Sequence, residues 1–287
     1  MRARPSEYEL VAPGKLDAVL ALLAGEPGAW MPIAGGTELM VQYGAGRLAA
    51  RKLVSLWGLP ELRRIESTGQ EVLLGAGCTY TDLRNHPLVA REFCLLARAA
   101  SWTGSIANQN RGTLGGNIVN GSPAADSLPA LLVYEAELVL ISARGERRIP
   151  YVEFHTGYKK NKLAADEIIS AIALKPGFAG YYAYSRKVGT RNAQAIAKLC
   201  VAGLGKVAAN RIEDVRLAIG SMAVTPLRLR RTEETLRGRE WSPSLVRDAR
   251  QALEAEVAPI DDIRSSAAYR LQVAGNLLQE FLEGLFA

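Results

Sequence analysis

Histidine and cysteine are scarce in this chain of 287 residues, and their scarcity closes off several kinds of chemistry. The two histidines, His86 and His155, leave no H-x-x-x-H metal pair and no obvious catalytic triad, so each is read as a surface or hydrogen-bonding residue. The three cysteines, Cys78, Cys94 and Cys200, lie too far apart for a CxxC metal pair or a dense disulfide framework. No apolar run approaches the roughly 18 residues of a membrane span. The start, MRARPSEYEL, has no apolar stretch behind its basic residues, which makes a cytoplasmic location the expectation. Walker-type GxxxxGK[ST] and the G-x-G-x-x-G fingerprint are both absent, which argues against a nucleotide kinase and a Rossmann dehydrogenase.

What the chain does have is an ordinary soluble composition, 48% hydrophobic and 22% charged, with length enough for two or three compact units. Its formal charge of +6 is scattered in small groups such as Arg63 and Arg64, or Arg228, Arg230 and Arg231. Without interleaved aromatics on one face, these read as solvated surface and not as a nucleic-acid footprint.

Periodicity predicts a helix over Leu16 to Ala24, stopped by Gly25, and then a short strand over Ala29 to Ile33. That strand breaks into Ala34-Gly35-Gly36-Thr37, and a second helix begins near Glu38. Further on, Val72 to Gly75 reads as a strand and Thr79 to Asp82 as a capping box. One helix is expected from Pro87 through REFCLLARAA, ended by the glycine-rich stretch Gly104 to Gly121. ELVLIS and RRIP form a hairpin, EIISAIAL a further strand, and Lys175-Pro176-Gly177 a domain boundary. In the last third, YYAYSRKV, AKLCVAGLGKV and DVRLAIGSM read as strands and the remainder as helix, with Leu271, Ala274, Leu278 and Phe281 forming an apolar stripe.

Two glycine-rich segments stand out: Pro32-Ile33-Ala34-Gly35-Gly36-Thr37-Glu38-Leu39 and Arg111-Gly112-Thr113-Leu114-Gly115-Gly116-Asn117. Glycine permits positive φ and lets a ligand approach without meeting a Cβ, so successive N–H groups can point at phosphate oxygens. Each segment is either a pyrophosphate cradle or a tight turn. In the first, the carboxylate of Glu38 would oppose an anion if it pointed inward.

IAGGTEL, NRGTLGGNIVNGSPAADSLPALL, EFHTGYKKNKLAADEIISAI and YSRKVGTRNAQAIA together resemble the FAD-binding medium subunit of the xanthine dehydrogenase and carbon monoxide dehydrogenase family, over nearly the whole chain. The most specific part is Thr-Leu-Gly-Gly-Asn with an Asp nine residues after the Asn. The resemblance implies that Pro32, Ile33, Ala34, Gly35, Gly36, Thr37, Glu38 and Leu39 clamp the FAD pyrophosphate, with Gly112, Thr113, Gly115, Gly116 and Asn117 on the other side. It places Thr103 and Gly104 near the adenine or flavin, where other members can carry an aromatic. Asp126 would accept a hydrogen bond from the ribityl or ribose region, or cap the helix that follows, and the two roles are compatible. Ile168 or Ile169 would cover the flavin ring, and Lys187 would lie at its polar edge, where a cation raises the reduction potential. The basic cluster Tyr158, Lys159, Lys160 and Lys162 resembles clusters near the flavin, or is exposed surface. Gly115→Val is then expected to lose flavin and keep the fold.

The resulting expectation is an α+β flavoprotein. A two-part FAD-binding domain of the vanillyl-alcohol-oxidase (PCMH) type, residues 1–54 and 55–175, precedes a C-terminal antiparallel sheet with helices, residues 176–287. By resemblance it relays electrons from a small [2Fe–2S] subunit through FAD to NAD, a quinone or oxygen. The substrate is oxidised at the molybdenum cofactor of a separate large subunit, so no side chain here is a catalytic acid, base or metal ligand. The alternatives are a self-contained flavin oxidase of the vanillyl-alcohol-oxidase type, or a flavin-free binding or assembly protein. Against the former, PIAGGTEL lacks the histidine that often tethers FAD in such oxidases.

Overall fold

The computed structural model describes residues 4–191 and 194–287. Asn192 and Ala193, inside the YSRKVGTRNAQAIA stretch, lie outside the described residues. The chain builds a small parallel sheet first. β1 (Glu9–Val11), α1 (Leu16–Gly25), β2 (Trp30–Ile33), α2 (Leu39–Gly44) and β3 (Lys52–Ser55) give the strand order β1-β3-β2, with both pairings parallel. The apolar side of α1, Val19, Leu20 and Leu23, packs with Trp30 and Val54 into a core of its own. Since β3 runs to Ser55, the chain leaves this sheet one residue beyond the expected division at Val54.

Next come β4 (Ile65–Ser67), β5 (Val72–Gly75), α3 (Tyr80–Asn85), α4 (Pro87–Glu92), α5 (Cys94–Trp102), α6 (Ile106–Gln109), α7 (Leu114–Asn120) and α8 (Leu128–Val133). They are followed by β6 (Glu137–Ser142), β7 (Gly145–Pro150), β8 (His155–Gly157), β9 (Lys160–Asn161) and β10 (Ile168–Leu174). β10 is the middle strand of a five-stranded antiparallel sheet, β4-β5-β10-β6-β7, and β8 and β9 form a separate hairpin.

The capping box forms as its residues require: Thr79 Oγ1 accepts from the Asp82 amide at 3.1 Å and Asp82 Oδ2 from the Thr79 amide at 2.9 Å. The single helix expected after Pro87 is two helices. Phe93 leaves the helical region at φ −132° and ψ 52°, and its ring enters the core edge-on to Tyr134 at 5.2 Å. The Tyr134 hydroxyl accepts from the Leu95 amide at 3.2 Å and so satisfies one of the amides that the break frees.

The last third forms a four-stranded antiparallel sheet from β11 (Tyr182–Val188), β12 (Leu199–Ala208), β13 (Arg211–Gly220) and the short β14 (Leu227–Arg228), in that order. Ala209 and Asn210, at φ 48° and 61°, make the tight turn between β12 and β13. Three helices follow, α9 (Arg230–Leu236), α10 (Pro243–Glu256) and α11 (Ala267–Leu285). The stripe of α11 is buried at Ala274, Leu278 and Phe281, in one core with Leu217 and Ile219 of β13.

Candidate functional site

The first glycine segment is the connection from β2 to α2. Gly36 sits at φ +75°, and the Gly36 carbonyl accepts from the Met40 amide at 2.9 Å as the helix starts. The amides of Ala34, Gly35, Gly36, Thr37, Glu38 and Leu39 donate to no acceptor among the described residues. Such a row of free N–H groups in a bend suits an anion. A Cβ on Gly35 would overlap the backbone carbonyl of Arg111, so only glycine lets the two glycine segments touch at this point. Arg111 returns its Nε to the Gly35 carbonyl at 3.4 Å and lays its guanidinium 3.7 Å from the Trp57 ring centroid. Trp57 and Arg111 thus tie the parallel sheet to the second segment, a link that no spacing in the sequence signals.

The carboxylate of Glu38 is tied to a cation. Its carboxylate meets Lys159 Nζ at 3.3 Å and Gln42 Nε2 at 3.2 Å.

The second segment is built differently from the expectation. Thr113 is the N-cap of α7, its Oγ1 accepting from the Gly116 amide at 3.1 Å. The amides of Leu114, Gly115 and Asn117 donate to Cys78, Ala76 and Thr113 carbonyls at 3.0, 2.8 and 3.0 Å. These N–H groups are spent inside the protein, and only the Thr113 amide in Arg111 to Asn117 lacks an acceptor among the described residues. The reason given for Gly115 is therefore corrected. A Cβ there would meet Ala76 Cβ at 2.6 Å and its carbonyl at 2.9 Å, so this glycine clears space for the sheet and not for a cofactor. Gly112 similarly faces Asn108 O and the Tyr80 ring, each 3.0 Å from a built Cβ. The Asn117 Oδ1 accepts from Ser127 Oγ at 2.8 Å.

That bond leads to Asp126. Its Oδ2 accepts from Lys187 Nζ at 2.6 Å, and Lys187 donates also to the Trp102 carbonyl at 2.9 Å. Burial drives the Asp126 carboxyl up to about 6, against the opposing pull of the Lys187 charge. Its second oxygen, Oδ1, is buried and meets no partner among the described residues, which a buried acceptor does not tolerate without cost. Capping by Asp126 is not observed: the residue preceding α8 is Ser127, and the carboxylate is turned to Lys187.

Thr103 and Gly104 follow Trp102 directly. Thr103 Oγ1 donates to the Ala99 carbonyl at 2.9 Å, and Gly104, at φ +62°, accepts from the Gln194 amide at 3.4 Å. The structure thus links Gly35 to Arg111, Asn117 to Ser127 beside Asp126, and Asp126 through Lys187 to Trp102, the residue before Thr103 and Gly104.

It does not bring Ile168 and Ile169 there as open side chains. Because β10 is central and covered on both faces, Ile168 packs with Val19, Leu20 and Trp30 while Ile169 enters the main core, at 3% and 4% exposure. The expectation that either covers a flavin ring is corrected accordingly. His155 is half-buried, edge-on to Tyr151 at 5.5 Å, and burial lowers its pKa.

A row of free amides, a glycine contact that a Cβ would close, and one buried carboxylate oxygen lacking a donor fit a diphosphate-bearing ligand with hydroxyls. Comparison with known proteins points the same way. Residues 6–174 match the FAD binding domain in molybdopterin dehydrogenase, and residues 184–285 the CO dehydrogenase flavoprotein C-terminal domain. The chain is 30% identical over 269 residues to a putative xanthine dehydrogenase FAD-binding subunit of Escherichia coli, covering 93% of this chain and 92% of that one. It is 28% identical to the carbon monoxide dehydrogenase medium chain of Hydrogenophaga pseudoflava, covering 99% and 98%. A solved carbon monoxide dehydrogenase from that organism, lacking the Mo-pyranopterin moiety of its cofactor, superposes with a TM-score of 0.93 at 28% identity over 99% of this chain and 98% of that one.

Proposed function

The chain belongs to the family of FAD-binding subunits of molybdopterin dehydrogenases, and from that premise we propose that it is the flavin relay of a three-subunit molybdenum hydroxylase. Electrons reach it from a small [2Fe–2S] subunit, a large subunit with the molybdenum cofactor oxidises the substrate, and NAD, a quinone or oxygen takes the electrons away. Bound FAD supplies the redox chemistry.

The carrying observation is the meeting of Gly35 with the Arg111 carbonyl beside six consecutive unpaired amides. Ala34 to Leu39 hold the pyrophosphate through N–H groups, while Thr113, Gly116 and Asn117 form the facing wall. Asp126 Oδ1 accepts from a ribityl or ribose hydroxyl, and Lys187 keeps that carboxylate ionised in spite of its burial. At the polar edge of the flavin, the Lys187 ammonium favours negative charge on the reduced ring. Residues 1–54 and 55–175 act as the two holding pieces, and residues 176–287 contribute Lys187. No helix among the described residues is long and apolar enough to cross a membrane, in keeping with a proposed cytoplasmic complex.

Tagging this chain in its native host, identifying the companions that co-purify and measuring flavin, iron and molybdenum tests the reading. The expected result is one flavin per copy of this chain, with an iron-bearing and a molybdenum-bearing partner. Recovery of the chain alone and colourless would overturn it.

A further inference from the structure

The β8–β9 hairpin was not expected from the sequence, and it contacts both α7, the helix that the second glycine segment opens, and Glu38 of the first segment. Asn161 Nδ2 donates to the Val119 carbonyl of α7 at 3.3 Å. The Lys159 Cα lies 3.4 Å from where a Cβ on Gly121, the left-handed cap of α7, would stand. Lys159 itself holds φ +52° at the hairpin tip. From there its Nζ reaches Glu38 Oε1 at 3.3 Å. Glu38 lies inside the row of unpaired amides, so its carboxylate stands within one side chain's length of any anion held by that row. Lys159 is the cation within ion-pair distance of it among the described residues.

We propose that Lys159 is a charge-compensating positioning residue of the diphosphate site, cancelling the repulsion that Glu38 exerts on a bound diphosphate and fastening the hairpin over it as a third wall. The proposal rests on the FAD reading given above. The lysine acts through Glu38, so removing it harms binding only while the carboxylate is present.

The test is a titration of FAD, and of ADP as a flavin-free diphosphate probe, into the full-length chain stripped of nucleotide. Wild type is compared with Lys159→Asn, which tolerates the left-handed backbone, with Glu38→Gln, and with the double variant. Both side chains are partly exposed, 41% and 45%. Lys159→Asn should therefore weaken both ligands about fivefold at low salt, the scale of a surface charge pair, and the deficit should shrink as salt rises. The double variant should bind about as well as wild type. Unchanged binding by Lys159→Asn, or a double variant as weak as that single, overturns the role assigned to Lys159. Failure of wild type to bind FAD refutes the flavin reading itself. A melting temperature of ligand-free Lys159→Asn equal to wild type excludes a folding defect as the source of any loss.

Discussion

Removing the carboxylate of Asp126 should cost more stability than removing the ammonium of Lys187, although the two form one ion pair. Their side chains are 8% and 12% exposed, and the pair is 2.6 Å long. Breaking a buried pair by deleting one partner typically costs about 3–5 kcal/mol, because a charge is left desolvated. In Asp126→Ala the lysine keeps the Trp102 carbonyl at 2.9 Å, which places the loss near the lower end. With about 2.1 cal/mol/K of unfolding entropy per residue, 3 kcal/mol lowers the melting temperature of this chain by roughly 5 °C. Lys187→Met leaves a carboxyl already raised to about 6. That group escapes its penalty near neutral pH by taking up a proton. The double variant Asp126→Ala with Lys187→Met buries no charge and should recover most of the stability while failing to retain flavin, since Oδ1 is gone. Calorimetry at pH 7.5, with flavin absorbance on the same samples, reads all of these. A Lys187→Met variant less stable than Asp126→Ala, or a double variant no better than the worse single, would refute the reasoning.

Two further outcomes follow from the same site. Gly35→Ala drives a Cβ onto the Arg111 carbonyl and should separate the segments with loss of flavin, whereas Gly115→Val collides with Ala76 and should destabilise the ligand-free fold by about 1–3 kcal/mol; melting curves with and without FAD distinguish them, and an unaltered ligand-free melt for Gly115→Val counts against the packing role. Between pH 3.8 and about 6 the native chain holds an Asp126 proton that the unfolded chain has released, so the contribution of this group is full below that window and is lost as pH rises through it. Asp262, held down to about 2 by hydrogen bonds from its own turn and from Arg270, works in the opposite sense. The Asp126 slope is therefore read as wild type minus the double variant in urea unfolding at stepped pH, where a flat difference would exclude it.

How far the sequence reveals this site depends on which kind of information a residue type carries. Thr79 and Asp82 announced a cap because the side-chain chemistry is local and the spacing is the geometry. Strands β2, β5 to β7 and β10 to β13 and the stripe of α11 were legible for the same reason, since period two and period three to four are local properties, while the short β1, β3, β4, β8, β9 and β14 were not. Glycine carries no such sign. The same absent side chain serves a positive φ at Gly36, a close approach to a carbonyl at Gly35 and packing on a strand at Gly115. Spacing alone cannot separate these uses, because each is defined by what comes from elsewhere in the chain. Likewise Ile168 and Ile169 read as apolar and available, and only the placement of β10 between β5 and β6 removes both from reach. The contacts that sequence reading missed, Trp57 on Arg111, Lys159 on Glu38 and the Trp102 carbonyl on Lys187, all join residues more than 50 positions apart. They share one property: each places a charge beside the glycine segments or the buried carboxylate, so the segments supply the space and these distant partners set the electrostatics within it.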